Sequence, residues 1–200
     1  MIKLLKQLYW DLSHRPGRFG FVQWILREVP GNFGLELRYR FYRKHFAKVG
    51  RNLSVSQGVR FRNIHNIAAG NNLSIGDCCF FQGAGGITFG DNVLLGPSVM
   101  IWSTNHRSDD LSKPINQQGY EDKKVVIGSD VWIGANAFIM PGAQIGDGVI
   151  ISAGAVVGAK AIPPHRILAG NPARVIGTRG AQSETSSPSQ ASSDPSDSKT

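Results

Sequence analysis

Between Ile127 and Ala161 apolar residues recur with a period of six. Large aliphatics stand at Ile127, Ile133, Ile139, Ile145, Ile151 and Val157. A smaller apolar residue follows each by four, at Val131, Ala137, Ala143, Val149, Ala155 and Ala161. Residues two apart share one face of a strand, so Val131 and Ile133 point the same way. Each hexapeptide therefore reads as a very short strand with two inward side chains, followed by a corner. Glycine after the large residue, at Gly128, Gly134, Gly146 and Gly158, reads as a residue that lets the chain turn at little steric cost. Three such strands make a triangular coil of about 18 residues, and coils stack as parallel sheets into a solenoid.

The preceding half carries the same pattern less cleanly. Leu73/Ile75, Cys79/Phe81, Ile87/Phe89, Val93/Leu95 and Val99/Ile101 fit it, and Leu53/Val55, Val59/Phe61 and Ile67 start it. Fourteen faces follow, between four and five coils. The phase turns Cys79 inward and Cys78 outward. Adjacent extended residues face opposite ways, so a disulfide between these two, the chain's only cysteines, is not expected. Their number and spacing give no disulfide framework, which fits a reducing cytoplasm. From Phe81 to Phe89 the step is eight, placing two extra residues at Gln82–Gly86. From Ile101 to Ile127 it is 26, so about 20 residues leave the solenoid as a loop at 102–125. A long loop without secondary structure is uncommon unless functional.

The ends differ in composition. Residues 1–51 hold eleven Lys+Arg against three Asp+Glu, and the other 149 residues hold eleven of each, so the net charge of +8 belongs to one arm. That localisation, with no nucleic-acid motif, argues against nucleic acid as the partner. Helical spacing of Ile2, Leu5, Tyr9 and Leu12 predicts a helix over 1–12, and a second is expected over Phe33–Val49, where Arg38, Arg40, Arg43, Lys44 and Lys48 crowd together. With Trp10 and Trp24 nearby, such an arm suits the surface of an anionic membrane. No apolar run approaches the roughly 18 residues of a membrane span, and residues 1–12 lack the features of a secretory signal. Pro163 and Pro164 are expected to stop the solenoid, with GNPARVIGTR as a short cap. The segment 181–200, with eight Ser, reads as a disordered tail. The expected organisation is a basic helical arm at 1–52, a solenoid at 53–162, a cap at 163–180 and the tail.

The hexapeptide array, the extruded STNH, the run VWIGANAFIMPGAQIGDG and the closing AGNPARVI resemble the hexapeptide-repeat acyltransferases. The likeness spans residues 53–179. It is to galactoside and maltose O-acetyltransferases and, through the LRYRFYRKHFAKVG arm, especially to bacterial polysaccharide O-acetyltransferases. It implies a mainly β, left-handed parallel β-helix, an exception to the right-handed rule for parallel crossovers. It further implies a homotrimer, with acetyl-CoA and a sugar or polysaccharide acceptor bound between subunits. Amino-sugar nucleotides and small xenobiotics are alternative acceptors, and O- versus N-transfer stays open.

Carried over residue by residue, the resemblance makes His106 the catalytic base. Neutral imidazole, titrating near pH 6.5 when unperturbed, can take a proton from an acceptor hydroxyl. Asp109, Glu121 or a backbone carbonyl could orient its ring. Asn105 reads as holding the acceptor or shaping the loop, Gln82 lies in the two-residue insertion near the position where galactoside enzymes carry a sugar-contacting asparagine, and Gln117 and Gln118 lie farther along the loop, where exposed turn amides are an equal reading. Ala135 and Ala153 match corners along which pantetheine would run. Arg174, in the matching NPAR, and Lys160, one residue out of register with the galactoside enzymes, are the candidates for the phosphates of CoA, and Arg suits bidentate phosphate contact. Trp132 is expected to pack against the coil beside the cleft. His14, His45, His65 and His165 read as structural, as do both cysteines. A γ-type carbonic anhydrase shares the solenoid but needs three convergent histidines, and this loop has one; no metal is expected. A non-catalytic scaffold would suit a chain lacking the loop histidine.

Overall fold

The computed structural model describes residues 1–180. The segment 181–200, expected to be a disordered tail, lies outside the described residues.

The chain opens with three helices, α1 (Ile2–Ser13), α2 (Arg15–Glu28) and α3 (Gly31–Tyr42). The sequence pattern missed α2, whose Pro16, Gly17 and Gly20 interrupt any apolar stripe. It also ran the next helix too far. The helix ends at Tyr42, and Lys48–Val49 is already β1, the first strand of the stack.

The solenoid has three faces. The first is built from β1, β4 (Ile67–Ala69), β7 (Ile87–Phe89), β12 (Val125–Ile127), β15 (Gln144–Ile145) and β18 (Ala161–Ile162). The second holds β2 (Ser54–Val55), β5 (Ser74–Ile75), β8 (Leu94–Leu95), β13 (Trp132–Ile133), β16 (Ile150–Ile151) and β19 (Arg166–Ala169). The third holds β3 (Arg60–Arg62), β6 (Phe80–Gln82), β9 (Met100–Trp102), β14 (Phe138–Ile139) and β17 (Val156–Val157). These seventeen strands make between five and six coils, about one more than the repeat count predicts. Pro163 and Pro164 do not stop the stack, because β19 continues the second face and β20 (Arg174–Thr178) then folds back antiparallel on it.

Like side chains stack in register inside the prism. Phe61, Phe81, Ile101, Ile139 and Val157 form one buried column on the third face. The Phe61 and Phe81 rings lie 4.9 Å apart and nearly parallel. Cys79 is buried and Cys78 exposed, as the phase requires. Two positions depart from it. Ala69, in register with Phe89, is the inward partner of Ile67, so the first coil repeats the eight-residue step of the second. At the other end, Ile162 pairs with Ile145 and faces in, whereas Ala161, expected inward, is exposed.

The glycines at the corners act by size. Gly96 and Gly134 do not have positive φ. A Cβ on Gly134 would come within 2.5 Å of Ala153 N, and one on Gly96 within 2.7 Å of Ala135 N, so the glycines let coils approach. Much of the left-handed backbone falls to asparagine, which tolerates it. Asn52, Asn72 and Asn92 have φ of 59°, 58° and 58°. Their amides form a ladder, Asn52 Nδ2 donating to Asn72 Oδ1 (2.8 Å) and Asn72 Nδ2 to Asn92 Oδ1 (2.7 Å).

An open β-solenoid exposes unpaired backbone at its ends. The helices cover one of them. Gln23 of α2 is buried and pairs with both backbone groups of Phe61 on edge strand β3, its Oε1 accepting from Phe61 N (2.7 Å) and its Nε2 donating to Phe61 O (3.3 Å). Arg38 of α3, only 2% exposed, donates from Nε to Val55 O on edge strand β2 (2.8 Å) and from one terminal nitrogen to Leu26 O (3.0 Å) and Val29 O (2.7 Å). Burial lowers its pKa. Arg38 therefore caps the stack and is no part of the arm's basic surface.

Candidate active site

The corner joining the third face to the first carries every long excursion: the turn containing Ile64–Asn66, the turn after Gln82, and the loop after Trp102. Ser103, fully buried, closes the neck of that loop. Its hydroxyl donates to Gln82 O (2.9 Å) and accepts from Gly85 N (3.0 Å), while its carbonyl accepts from Lys123 N (2.9 Å). Beyond the neck the chain forms a hairpin of β10 (Thr104–His106) and β11 (Tyr120–Asp122), pairing His106 with Tyr120 and Thr104 with Asp122. Farther out, Gln118 fastens the loop. Its Oε1 accepts from Asp110 N (3.0 Å), and its Nε2 donates to Asp110 O and Lys113 O, both at 2.8 Å. The Ser112 hydroxyl donates to the Asp110 carboxylate (2.6 Å) and, more than the Lys113 ammonium beside it, holds that group below its ordinary pKa.

The hairpin stands over a cavity of about 360 Å³. Gln82, Asn105 and His106, expected at the site from the sequence, all line it, with Arg62, Phe80, Trp102, Tyr120 and Asp122 beside them. The His106 ring lies 4.5 Å from Tyr120, centroid to centroid, and its backbone N–H donates to Asn105 Oδ1 (3.0 Å). The two carboxylates expected as candidates for orienting the ring have basic partners of their own: Glu121 pairs with Lys123 (2.8 Å), and Asp109 lies 3.9 Å from Arg107. Trp102 meets Phe80 and Phe138 edge-on, with centroids at 6.0 and 5.7 Å. Gln82 Oε1 and Trp102 Nε1 are buried and have no hydrogen-bond partner among the described residues. Buried polar atoms are nearly always satisfied, so two orphans lining one cavity mark a place built for something polar.

The other candidates lie elsewhere. Ala135 and Ala153 occupy one corner of adjacent coils, between the second and third faces, where Gly154 N donates to Ala135 O (2.8 Å). Lys160 and Arg174 converge on a single carbonyl, Ala173 O, at 2.8 and 3.3 Å. Trp132, expected to pack on the coil, is half exposed, on the outer side of the second face between Leu94 and Ile150. Sequence reasoning overlooked Trp102, although its position after inward Ile101 turns it outward. Tyr120 and Asp122 depend on the hairpin register, which no local pattern announces. Among the described residues no group of three potential metal ligands occurs.

Residues 124–159 match the family of bacterial transferase hexapeptides, a model of six repeats. A sequence comparison with curated proteins returned no significant match. A galactoside acetyltransferase in complex with coenzyme A superposes with a TM-score of 0.72 at 32% identity, over 80% of this chain and 78% of its own. The chain belongs to the hexapeptide-repeat acyltransferases. A maltose O-acetyltransferase from Clostridium difficile 630 gives 0.67 at 31% identity, over 80% of this chain and 83% of its own. A hexapeptide-repeat-containing acetyltransferase from Vibrio cholerae O1 biovar eltor, complexed with acetyl coenzyme A, gives 0.66 at 27%, over 80% and 84%. This hexapeptide-repeat acyltransferase accordingly has the left-handed parallel β-helix, with helices ahead of it. No helix among its described residues is long and apolar enough to cross a membrane.

Proposed function

We propose that this chain transfers the acetyl group of acetyl-CoA to a hydroxyl of a sugar or polysaccharide precursor, with His106 as general base. The observation that carries this reading is the cavity. A loop histidine stands over an aromatic floor beside two orphaned polar atoms, Gln82 Oε1 and Trp102 Nε1, which are suited to sugar hydroxyls. His106 takes the proton as the acceptor oxygen attacks the thioester carbonyl. The tetrahedral intermediate then collapses, its C–S bond breaks, and the leaving thiolate receives the proton from the imidazolium. Gln82 and Asn105 hold the acceptor. Pantetheine runs along the Ala135/Ala153 corner, and Lys160 and Arg174, already gathered at Ala173 O, meet the phosphates of CoA.

His106 and the Ala135/Ala153 corner lie on different edges of the prism. A homotrimer, as in the resemblance, would bring one subunit's loop to another's corner. Helix α1, with Leu4, Leu5, Tyr9 and Trp10 exposed beside Lys3 and Lys6, rests on an anionic membrane surface in this proposal. Flotation with anionic vesicles, full chain beside a chain starting at Arg15, tests that contact, and equal flotation of the two removes it.

The deciding experiment is acetyl transfer from acetyl-CoA to a glycan panel, followed by thiol release and mass spectrometry, beside His106→Ala. Loss of a general base lowers kcat by roughly 10²–10⁴-fold. Transfer that survives the substitution overturns the mechanism.

A further inference from the structure

A second concavity, about 1040 Å³, runs between the helical cap and the first coil. Arg15, Arg18, Lys44, Arg60 and Arg62 line it, and no Asp or Glu does. Among the described residues none of these five cations forms an ion pair with a carboxylate. His45, His65, Gln23 and Asn63 supply the rest of its polar lining.

The groove is framed rather than incidental. The two Gln23 hydrogen bonds to Phe61 fix one wall, α2, against the other, β3. Arg60 and Arg62, two apart on β3, share its outer side, and both guanidinium groups lie over the Phe80 ring, at 5.1 and 5.5 Å from its centroid. Such contacts hold a cation in place without neutralising it. Arg62 also lines the cavity beneath His106, so the two spaces meet at this residue. Around the cavity itself Asp122 offsets Arg62, whereas the groove is uniformly positive.

We infer that the groove is a second acceptor subsite, taking a phosphate, pyrophosphate or uronate carboxylate of a glycan whose reacting hydroxyl lies beside His106. The inference rests on the proposed function and narrows its acceptor to an anionic one. A concave slot walled by Phe19 and Phe41 and bordering the cavity at Arg62 suits a chain-like ligand better than the flat face of a bilayer. The cations proposed for CoA, Lys160 and Arg174, sit at the opposite end of the stack.

The test is equilibrium binding to the full chain, which needs no turnover. Matched probes are a hexose 1-phosphate against the free hexose, a glucuronate disaccharide against its neutral counterpart, inorganic pyrophosphate, CoA, and anionic against neutral vesicles. The anionic member of each sugar pair should bind roughly tenfold tighter. The preference should shrink below about threefold in Lys44→Gln/Arg60→Gln and in high salt. Both side chains are exposed, and Arg15→Gln, on the helix, is a second variant should the first misfold. Equal binding of the paired sugars overturns the inference. So does a preference untouched by the variants, or variants that lose CoA or anionic vesicles in place of anionic sugars. His106→Ala should abolish transfer and leave the binding preference standing, so the two proposals fail separately.

Discussion

Cys78 and Cys79 are neighbours with opposite fates. Cys79 is sealed inside the prism, and burial pushes its thiol up to about 11, so the reactive thiolate is scarce at neutral pH. Cys78 lies exposed at a corner. Native protein should consume one equivalent of a thiol reagent, and two in denaturant, with peptide mapping placing the first at Cys78. The phase of the six-residue repeat made this contrast legible from sequence, although Cys78 itself sits at a corner with φ of 58° and not on a strand. Arg38 was not legible, because its spacing resembles that of exposed Arg40 and Arg43 and its three carbonyl partners come from distant segments. Replacing it leaves those acceptors unpaired, Val55 O buried and the other two partly so, and Arg38→Ala should lose about 2–4 kcal/mol in chemical denaturation. Arg38→Lys should recover less than half of that, since an ammonium lacks the planar fork.

At the scale of elements, the loop neck governs where His106 stands. Ser103→Ala removes bonds to both Gln82 and Gly85 and should lower stability by about 1–3 kcal/mol. Gly85→Ala drives a methyl into the Ser103 carbonyl and should disturb the hairpin with a smaller effect on the stack. Both are expected to raise KM for the acceptor more than KM for the donor, measured by steady-state kinetics with each substrate varied. Loop positions were readable as departures from the step of six, because insertions leave the inward residues in phase. The first-coil insertion escaped notice because its inward residue, Ala69, is small and leaves no aliphatic marker. His106, Asn105 and Gln82 were found through a motif. Arg62, Trp102, Tyr120 and Asp122 reach the same cavity from two coils and a hairpin, a convergence that only the stacking creates.

Across the whole molecule, the repeat dictates a prism and says little about its ends. The helical cap shields β2 and β3 through Arg38 and Gln23, so a chain starting at Lys44 should expose those edges. It is expected to associate beyond the state of the full chain in light scattering, and to melt at lower temperature. Because each coil touches mainly its neighbours, disruption should begin at the uncovered end and spread. The excursions after β3, β6 and β9 leave by a single edge. Lengthening or recasting any of them spares the ladders on either side, so under the proposed function selectivity and foldability are encoded in separable stretches of chain. Grafting residues 103–124 from a relative is thus a direct route to retargeting the catalyst.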